Sequence, residues 1–313
     1  LTSSPADVER YDAVFESWFS GRSTRGSAPQ DRQWHPTSRA ALDRGDEGAA
    51  GEQGDELVPA RASAQEVLRH RDVGVLTAAE REALARLFGS LRIVAPRRRA
   101  RRHARSRHGV VDGRAMLREQ LRRVGEAGPV RRRRRTTRAR RVVLLVDVSG
   151  SMAPYADSLL RLAHAFVQAT PSVEVFTMGT RLTHVTRSLR ERDPHRALRE
   201  AGRVVPDWSG GTRLGEVLGA FLDRWGRRGL ARGAVVVVLS DGWEREGPEL
   251  LAEQMRRLGA LAHRVVWVNP HRGKAGYRPV QQGIVAVLPH VDDFVAGHSF
   301  AAFEELVEVV ARA

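Results

Sequence analysis

Residues 142–151 read Val-Val-Leu-Leu-Val-Asp-Val-Ser-Gly-Ser, an unbroken apolar run followed by a carboxylate and two hydroxyls. A second apolar run, residues 235–240, is followed directly by Asp241. Short apolar runs rich in β-branched residues are typical of parallel strands that helices cover on both faces. The two runs therefore predict two central strands of a buried sheet, each ending at an aspartate.

Strands and helices alternate along the chain after Arg141. The pattern predicts further strands at residues 173–178, 182–186 and 263–268, and helices at residues 155–170, 213–227, 248–258 and 300–311. Such alternation produces right-handed βαβ units and a sheet between two helical layers. We expect an α/β fold with a doubly wound, mostly parallel sheet. Ligands of such folds bind beyond the carboxyl ends of the strands, where the strand order reverses.

The rest of the chain divides by composition. Residues 1–19 have apolar side chains at helical spacing, which predicts part of an N-terminal helical segment. Residues 20–62 are rich in small and charged residues and predict a flexible linker. Residues 63–140 contain many arginines and several helix signals, among them a capping box from Thr77 to Glu80, so we predict a small, basic helical region there. The α/β domain is expected to occupy residues 141–313.

Charge and composition restrict the class of protein. The 313 residues include 52 Lys and Arg against 37 Asp and Glu, a formal net charge of +15 that favours anionic partners. Arginine clusters lie at residues 97–107 and 131–141. The absence of cysteine excludes disulfides, thiolate metal sites and a cysteine nucleophile. No apolar stretch approaches the roughly 20 residues of a membrane span, and the cytoplasm is the default location.

Five oxygen-bearing side chains accompany the two central runs. Mg²⁺ prefers about six oxygen ligands and keeps several waters, so these side chains predict a magnesium or manganese site without imidazole or thiolate ligands. The alternative is that the first aspartate and the serines only cap the next helix. The Gly-Gly-Thr turn and the second strand-end aspartate favour the metal site. The candidate ligands are Asp147, Ser149, Ser151, Thr212 and Asp241.

The combination of Asp-x-Ser-x-Ser, Gly-Gly-Thr and a strand-end Asp resembles the metal-ion-dependent adhesion site of von Willebrand factor A domains. The resemblance implies that the hydroxyls of Ser149, Ser151 and Thr212 bind the ion. It implies that both aspartates bind the ion directly or through water. It also implies that residues 141–313 form a von Willebrand factor A domain, whose fold is similar to the Rossmann fold.

Longer stretches resemble a narrower group, the CoxE-like von Willebrand A proteins of bacteria. This resemblance implies a non-enzymatic, cytoplasmic protein that works with a MoxR-type AAA+ ATPase. The namesake assists maturation of the molybdenum- and copper-containing active site of aerobic carbon monoxide dehydrogenase. We expect an interaction module whose metal receives an acidic side chain from the ATPase or from a client metalloenzyme. The stretches are residues 147–155, 179–183, 205–215, 240–244 and 263–270.

Two other classes of function compete with this interpretation. The arginine clusters could bind nucleic-acid phosphates, but they contain no aromatic residue on which bases could stack, and a solvated or partner-facing basic surface is expected instead. A strand-end aspartate beside Mg²⁺ could attack a phosphoryl group. Aspartate phosphatases usually carry a second acid two residues after the nucleophile, where this chain has Ser149. We therefore expect no catalytic activity.

Three further residues have expected structural roles. Ser299 lies in a Gly-His-Ser-Phe-Ala segment, and we expect it to be the N-cap of the last helix rather than a nucleophile. Trp208 and Trp243 flank the predicted metal-binding loops. Core packing is their expected role, and contact with a partner at the rim is the alternative.

Overall fold

A computed structural model describes residues 65–126, 128–205, 211–244, 247–274 and 276–313. The helical segment expected within residues 1–19 and the linker expected at residues 20–62 lie outside the described residues.

A short helical part leads into the α/β domain. It contains a helical turn at residues 65–70 and helix α1, Ala78–Leu87, which begins at a capping box, as its sequence predicts. Phe88 follows α1 and packs against Phe300 and Phe303, with ring centroids 5.6 and 5.8 Å apart. Helix α1 is therefore anchored on the last helix of the chain.

The arginine clusters form β-structure. Strand β1, Arg97–Ser106, pairs antiparallel with strand β3, Arg132–Ala139. A two-residue strand β2, Val110–Val111, pairs with the start of β3, and helix α2, Gly113–Arg122, connects β2 to β3. The helical region expected at residues 63–140 is therefore wrong for the arginine clusters. Arginine has no strong local preference for a strand, and the pairing depends on a second segment about thirty residues away, which local patterns do not report.

The main sheet has six strands in the order β6-β5-β4-β7-β8-β9. All neighbours are parallel except β5 and β6, which pair antiparallel. The predicted α/β fold with a mostly parallel sheet is therefore confirmed. The strands are β4 Val142–Asp147, β5 Val173–Met178, β6 Leu182–His184, β7 Val235–Leu239, β8 Arg264–Asn269 and β9 Asp293–Ala296.

Helices cover both faces of this sheet. Alternate residues of β4 enter two separate cores, with Val142, Leu144 and Val146 on one side and Val143 and Leu145 on the other. The first core includes residues of α1, α3, α5 and α9, and the second includes residues of α6, α7 and α8. These helices are α3 Ala153–Ala169, the short α4 Thr186–Leu189, α5 Pro194–Val204, α6 Leu214–Phe221, α7 Pro248–Leu261, α8 Gln282–Val287 and α9 Phe300–Arg312.

The path of the chain changes direction at the centre of the sheet. From β4 the chain proceeds outward to β5 and β6, and then it returns to β7 on the other side of β4 before it continues to β8 and β9. The strand order therefore reverses between β4 and β7. The carboxyl ends of these two strands form the edge where ligands of doubly wound sheets bind.

Several elements differ from their sequence-based prediction. Helices α4, α5 and α8 and strand β9 were not predicted. The helix predicted at residues 213–227 consists of α6 and a π-helical segment, Leu222–Leu230, which contains Gly229 at a φ of 128°. Ser299 caps α9 as predicted, because its hydroxyl accepts from the backbone N–H of Ala302. None of the described helices has the length and apolar content of a membrane span.

Phe88→Ala is expected to lower the free energy of unfolding by about 3–5 kcal/mol, because the change removes a buried ring from the contact between α1 and α9. Urea unfolding followed by circular dichroism measures the change. The control is Leu117→Ala, at an exposed position of α2, with an expected change within about 0.5 kcal/mol. Equal midpoints for Phe88→Ala and the unmodified chain would show that α1 does not unfold together with the domain.

Candidate metal centre

The two strand-end aspartates lie at the predicted edge of the sheet. Asp147 is the last residue of β4, and Asp241 lies two residues beyond the end of the neighbouring strand β7. The side chains are only 1% and 3% exposed. Two carboxylates are thus held in the interior at the strand-order reversal, a position that requires compensation of their charge.

Three of the predicted hydroxyl residues gather at Asp147. Its Oδ1 accepts hydrogen bonds from the backbone N–H of Ser149 at 2.9 Å and from the hydroxyl of Thr212 at 3.3 Å. The hydroxyls of Ser149 and Ser151 are 3.2 Å apart. Thr212 arrives from a different loop, 65 residues away. Four of the five predicted residues are therefore connected by direct contacts.

Asp241 occupies the adjacent position. Its Oδ1 accepts a hydrogen bond from the backbone N–H of Trp243 at 3.0 Å, and its Oδ2 is 3.9 Å from Nε2 of His271. Burial lowers the pKa of His271, and the positive charge of nearby Lys274 lowers it further. The imidazole is therefore poorly suited to neutralise Asp241 at neutral pH.

The electrostatics of the pair favour a cation. Burial raises the pKa of the Asp147 carboxyl to about 6, hydrogen bonds from Ser240 and Ser149 oppose this rise, and the charge of Asp241 adds to it. A divalent ion between the carboxylates would offset both the burial and the repulsion. Within the part of the chain that the structure describes, no three His, Cys, Asp or Glu side chains group together in a way that could hold a metal ion. The donors are thus two carboxylates and three hydroxyls, a set that fits a hard cation such as Mg²⁺ or Mn²⁺.

Sequence reasoning missed two residues that orient the aspartates. Ser240 is fully buried, and its hydroxyl donates to Oδ2 of Asp147 at 2.6 Å. Asn269 ends β8 and is also fully buried; its amide donates to the backbone carbonyl of Asp241 at 3.2 Å. Polar residues at the carboxyl ends of β7 and β8 were the available signal. Neither residue belongs to the spacing motif, so neither was selected.

The backbone after Asp241 requires glycine. Gly242 has a φ of 76°, and a Cβ atom there would lie 2.3 Å from the Cδ1 atom of Ile284. A larger residue would therefore be strained and would also displace α8. This turn allows the chain to place the N–H of Trp243 against the Asp241 carboxylate.

The indole of Trp243 lies at the surface. Its side chain is 66% exposed, so the expected role in core packing is wrong for this residue. Exposure depends on which distant segments pack against the loop, and the sequence around Trp243 does not report those segments. Trp208 lies outside the described residues.

The fold defines a von Willebrand factor A type of α/β domain. The family model described as "VWA domain containing CoxE-like protein" matches residues 82–303, and the chain belongs to this family. A search of curated proteins found no match.

Three of the solved structures to which this chain is similar are the following. The von Willebrand factor type A protein from Catenulispora acidiphila is 18% identical at a TM-score of 0.40, and the match covers 56% of this chain and 43% of that one. The manganese-loaded TRAP protein from Plasmodium vivax is 18% identical at a TM-score of 0.37, with 54% and 70% covered. The proximal thread matrix protein 1 from mussel byssus, with a zinc-occupied MIDAS motif, is 18% identical at 0.36, with 55% and 44% covered. The chain thus matches less than half of the Catenulispora and mussel chains.

Asp147→Asn is expected to raise stability at about pH 7 when chelator is present, by on the order of 1–3 kcal/mol. The folded-state pKa of Asp147 is raised from 3.8 to about 6, so the folded protein holds the carboxyl proton more tightly than the unfolded chain does. The protonated carboxyl therefore contributes to stability, and this contribution is complete below its ordinary pKa of 3.8. That contribution is lost as the pH rises through about 6. The variant has no such loss. Urea unfolding at a series of pH values measures the difference, which should disappear near pH 4; a difference that does not vary with pH would contradict the prediction.

Proposed function

We propose that this chain is a non-catalytic protein-interaction module whose binding depends on a divalent metal ion. The observation that carries the proposal is the pair of buried aspartates at neighbouring strand ends. The hydroxyl of Thr212 donates to the first of them, and the hydroxyls of Ser149 and Ser151 are in contact with each other beside it. Membership of the CoxE-like family supports this class of function.

The residues that would hold the ion are Asp147, Ser149, Ser151, Thr212 and Asp241. An ion bound there would supply positive charge and an open coordination position for a carboxylate oxygen of a partner protein. Neutral hydroxyl ligands suit this role because they leave much of the charge of the ion uncompensated.

The surrounding residues hold the aspartates in place. Ser240 donates to Oδ2 of Asp147, while Ser149 and Thr212 donate to Oδ1, so both carboxylate oxygens have a fixed orientation. Trp243 contributes a backbone N–H to Asp241 and places an exposed indole beside the centre. The indole is suited to contact an apolar part of a partner next to its acidic residue.

The same contacts favour binding over nucleophilic catalysis. The position two residues after Asp147 holds Ser149, whose backbone N–H donates to Asp147. A hydroxyl at this position cannot take the role of the second acid of an aspartate phosphatase.

The partner we propose is a MoxR-type AAA+ ATPase or a client metalloenzyme, which contributes an acidic side chain. Carbon monoxide dehydrogenase is one candidate client, because the namesake of the family serves that enzyme. The proposed location is the cytoplasm. The support for partner, client and location is the family to which the chain belongs.

Asp147→Ala and Asp241→Ala are each expected to weaken Mn²⁺ binding by at least about 100-fold, because each change removes a predicted ligand. Ser240→Ala removes only a hydrogen bond to a ligand and should weaken binding by about 10-fold. Calorimetric titration of metal-stripped protein measures the affinity. The control is Asp157→Ala, since Asp157 is exposed and pairs with Arg161 on α3. If Mn²⁺ bound the Asp147 variant as tightly as the control, the proposed ligand set would be wrong.

Asp147→Ala should also abolish the magnesium-dependent recovery of the partner when the tagged chain is purified from its native host. Trp243→Ala should reduce recovery about 10-fold or more and leave the Mn²⁺ affinity unchanged, because the indole would contact the partner and not the ion. Mass spectrometry of fractions prepared with Mg²⁺ and with chelator identifies the partner. Recovery that is equal in chelator would refute the metal-dependent mechanism, and Asp157→Ala serves again as the control.

A further inference from the structure

Strands β1 and β3 form a surface of exceptional positive charge, which we name the arginine ribbon. It has six arginines on β1 and five on β3, and most of them are exposed. Arg98 lies directly opposite Arg138, and Arg105 lies opposite Arg133. Like charges opposite each other destabilise a sheet, so bound anions would stabilise the ribbon.

The described residues provide little negative charge to compensate the arginine ribbon. Glu119 of α2 is near enough to Arg105 for their charges to interact, but its ion pairs are with Arg123 and with Arg131, just outside β3. None of the eleven ribbon arginines forms an ion pair with a described residue. Their charge is therefore available to an external partner.

An apolar stripe lies at the far end of the ribbon. Leu117, Leu121 and Val124 are spaced by four and three residues at α2 and its C-terminal end, and they are 58%, 72% and 96% exposed. Helix α2 has no buried residue. The contact between Glu119 and Arg131, with oxygen–nitrogen distances of 2.7 and 3.0 Å, holds α2 against the ribbon.

Other apolar residues extend this stripe, and arginines border it. Val110 and Val111 of β2 and Val130 before β3 are also exposed. Arginines 114, 118 and 122 recur every four residues along α2. A short basic helix with one exposed apolar side is typical of a segment that lies in the interface of a membrane.

The ribbon joins the α/β domain at the amino end of β4, and the candidate metal centre is at the other end of this strand. Its base lies at Arg140, whose backbone N–H donates to the carbonyl of Pro96, two residues before β4 begins. The candidate metal centre lies at the carboxyl end of β4. The same edge as the ribbon base contains a cleft of about 850 Å³, whose lining includes Arg228 and Arg232. A surface bound by the ribbon would leave the metal centre free.

We propose that the arginine ribbon and the apolar stripe of α2 together bind the surface of an anionic lipid bilayer. The two features match the two signals that reversible membrane binding requires, attraction between basic residues and acidic headgroups and insertion of apolar side chains. Nucleic acid would match the arginines but would leave the apolar stripe in water. The segment between Phe88 and Tyr155 also contains no Phe, Trp or Tyr on which bases could stack.

The test is sedimentation of the full chain with vesicles of phosphatidylcholine alone, or of two parts phosphatidylcholine to one part phosphatidylglycerol, in about 0.1 M NaCl. We expect binding to the anionic vesicles and none to the neutral ones. Chelator and Asp147→Ala should leave this binding unchanged, so the lipid proposal and the metal-dependent function can fail separately. Inorganic phosphate at the same concentration as the lipid should not compete.

Two multiple variants separate the two signals. Replacement of Arg101, Arg102, Arg105 and Arg134 by Gln should weaken binding by at least about 10-fold, since each arginine near an anionic surface contributes roughly five-fold. Its control has the same change in net charge, with the exposed arginines 192, 196, 199 and 203 at and beside α5 replaced by Gln. The control should bind within about two-fold of the unmodified chain, because α5 is outside the proposed surface.

The apolar signal is tested by Leu117→Ser with Leu121→Ser, which should weaken binding at least about five-fold without a change in charge. The matched control is Val280→Ser with Val285→Ser, two exposed valines elsewhere. The chain has no cysteine, so Leu121→Cys accepts a single environment-sensitive fluorophore. Its emission should shift to the blue on anionic vesicles, and this measurement does not depend on how the serine variants fold.

Four results would overturn the proposal. The first two are no binding of the unmodified chain to anionic vesicles and no shift in the emission of the fluorophore at residue 121. The other two are an equal loss of vesicle binding in a variant and its control, and a loss of vesicle binding in the arginine variant but not in the leucine variant. The last result would mean that charge alone is recognised. Tighter binding of a DNA duplex than of vesicles, measured by fluorescence anisotropy, would then assign the surface to nucleic acid.

Discussion

The parallel pairing of β4 with β7 is the contact on which the architecture of the candidate centre depends. Val142 to Val146 align with Val235 to Leu239 residue by residue, and both strands are buried on both faces. Because the strands are parallel and in register, their carboxyl ends coincide, and the aspartates that follow are brought together in the interior. A shift of either strand would separate Asp147 from Asp241 and from the hydroxyl of Thr212.

This arrangement has an electrostatic cost that points to its use. Two buried carboxylates repel each other, and burial raises the pKa of Asp147 to about 6. The nearby His271 does not relieve the repulsion as a charged side chain, because its pKa is lowered. Neutral hydroxyl and backbone N–H groups donate to the carboxylates instead. These donors leave the negative charge in place, where a divalent ion could neutralise it. The two carboxylates are therefore held in fixed orientations while their negative charge is not neutralised. A site that binds a metal ion reversibly requires both properties.

The polarity of the sheet also places the two candidate binding surfaces at opposite ends of the strands. The candidate metal centre lies at the carboxyl ends of the strands and would recognise an acidic group through an ion. The arginine ribbon leaves the domain at the amino end of β4 and would recognise anions directly. Occupation of one surface need not obstruct the other, so a single chain can connect a partner at one edge to an anionic surface at the opposite edge.

Local sequence patterns were sufficient to predict the central strands, the helices α3, α7 and α9, and the capping residues Thr77 and Ser299. They were also sufficient to select the candidate ligands. The reason is that periodicity, turn chemistry and spacing are properties of short segments. They did not reveal that the arginine clusters pair as strands, that Ser240 orients Asp147, or that Trp243 is exposed. Each of these depends on which distant segments become neighbours. The chain alone therefore specified the central strands, three of the covering helices and the candidate ligands, which stay a prediction. The assembled fold decided the pairing of distant segments and the exposure of side chains, because burial and long-range contacts exist only after the chain has folded.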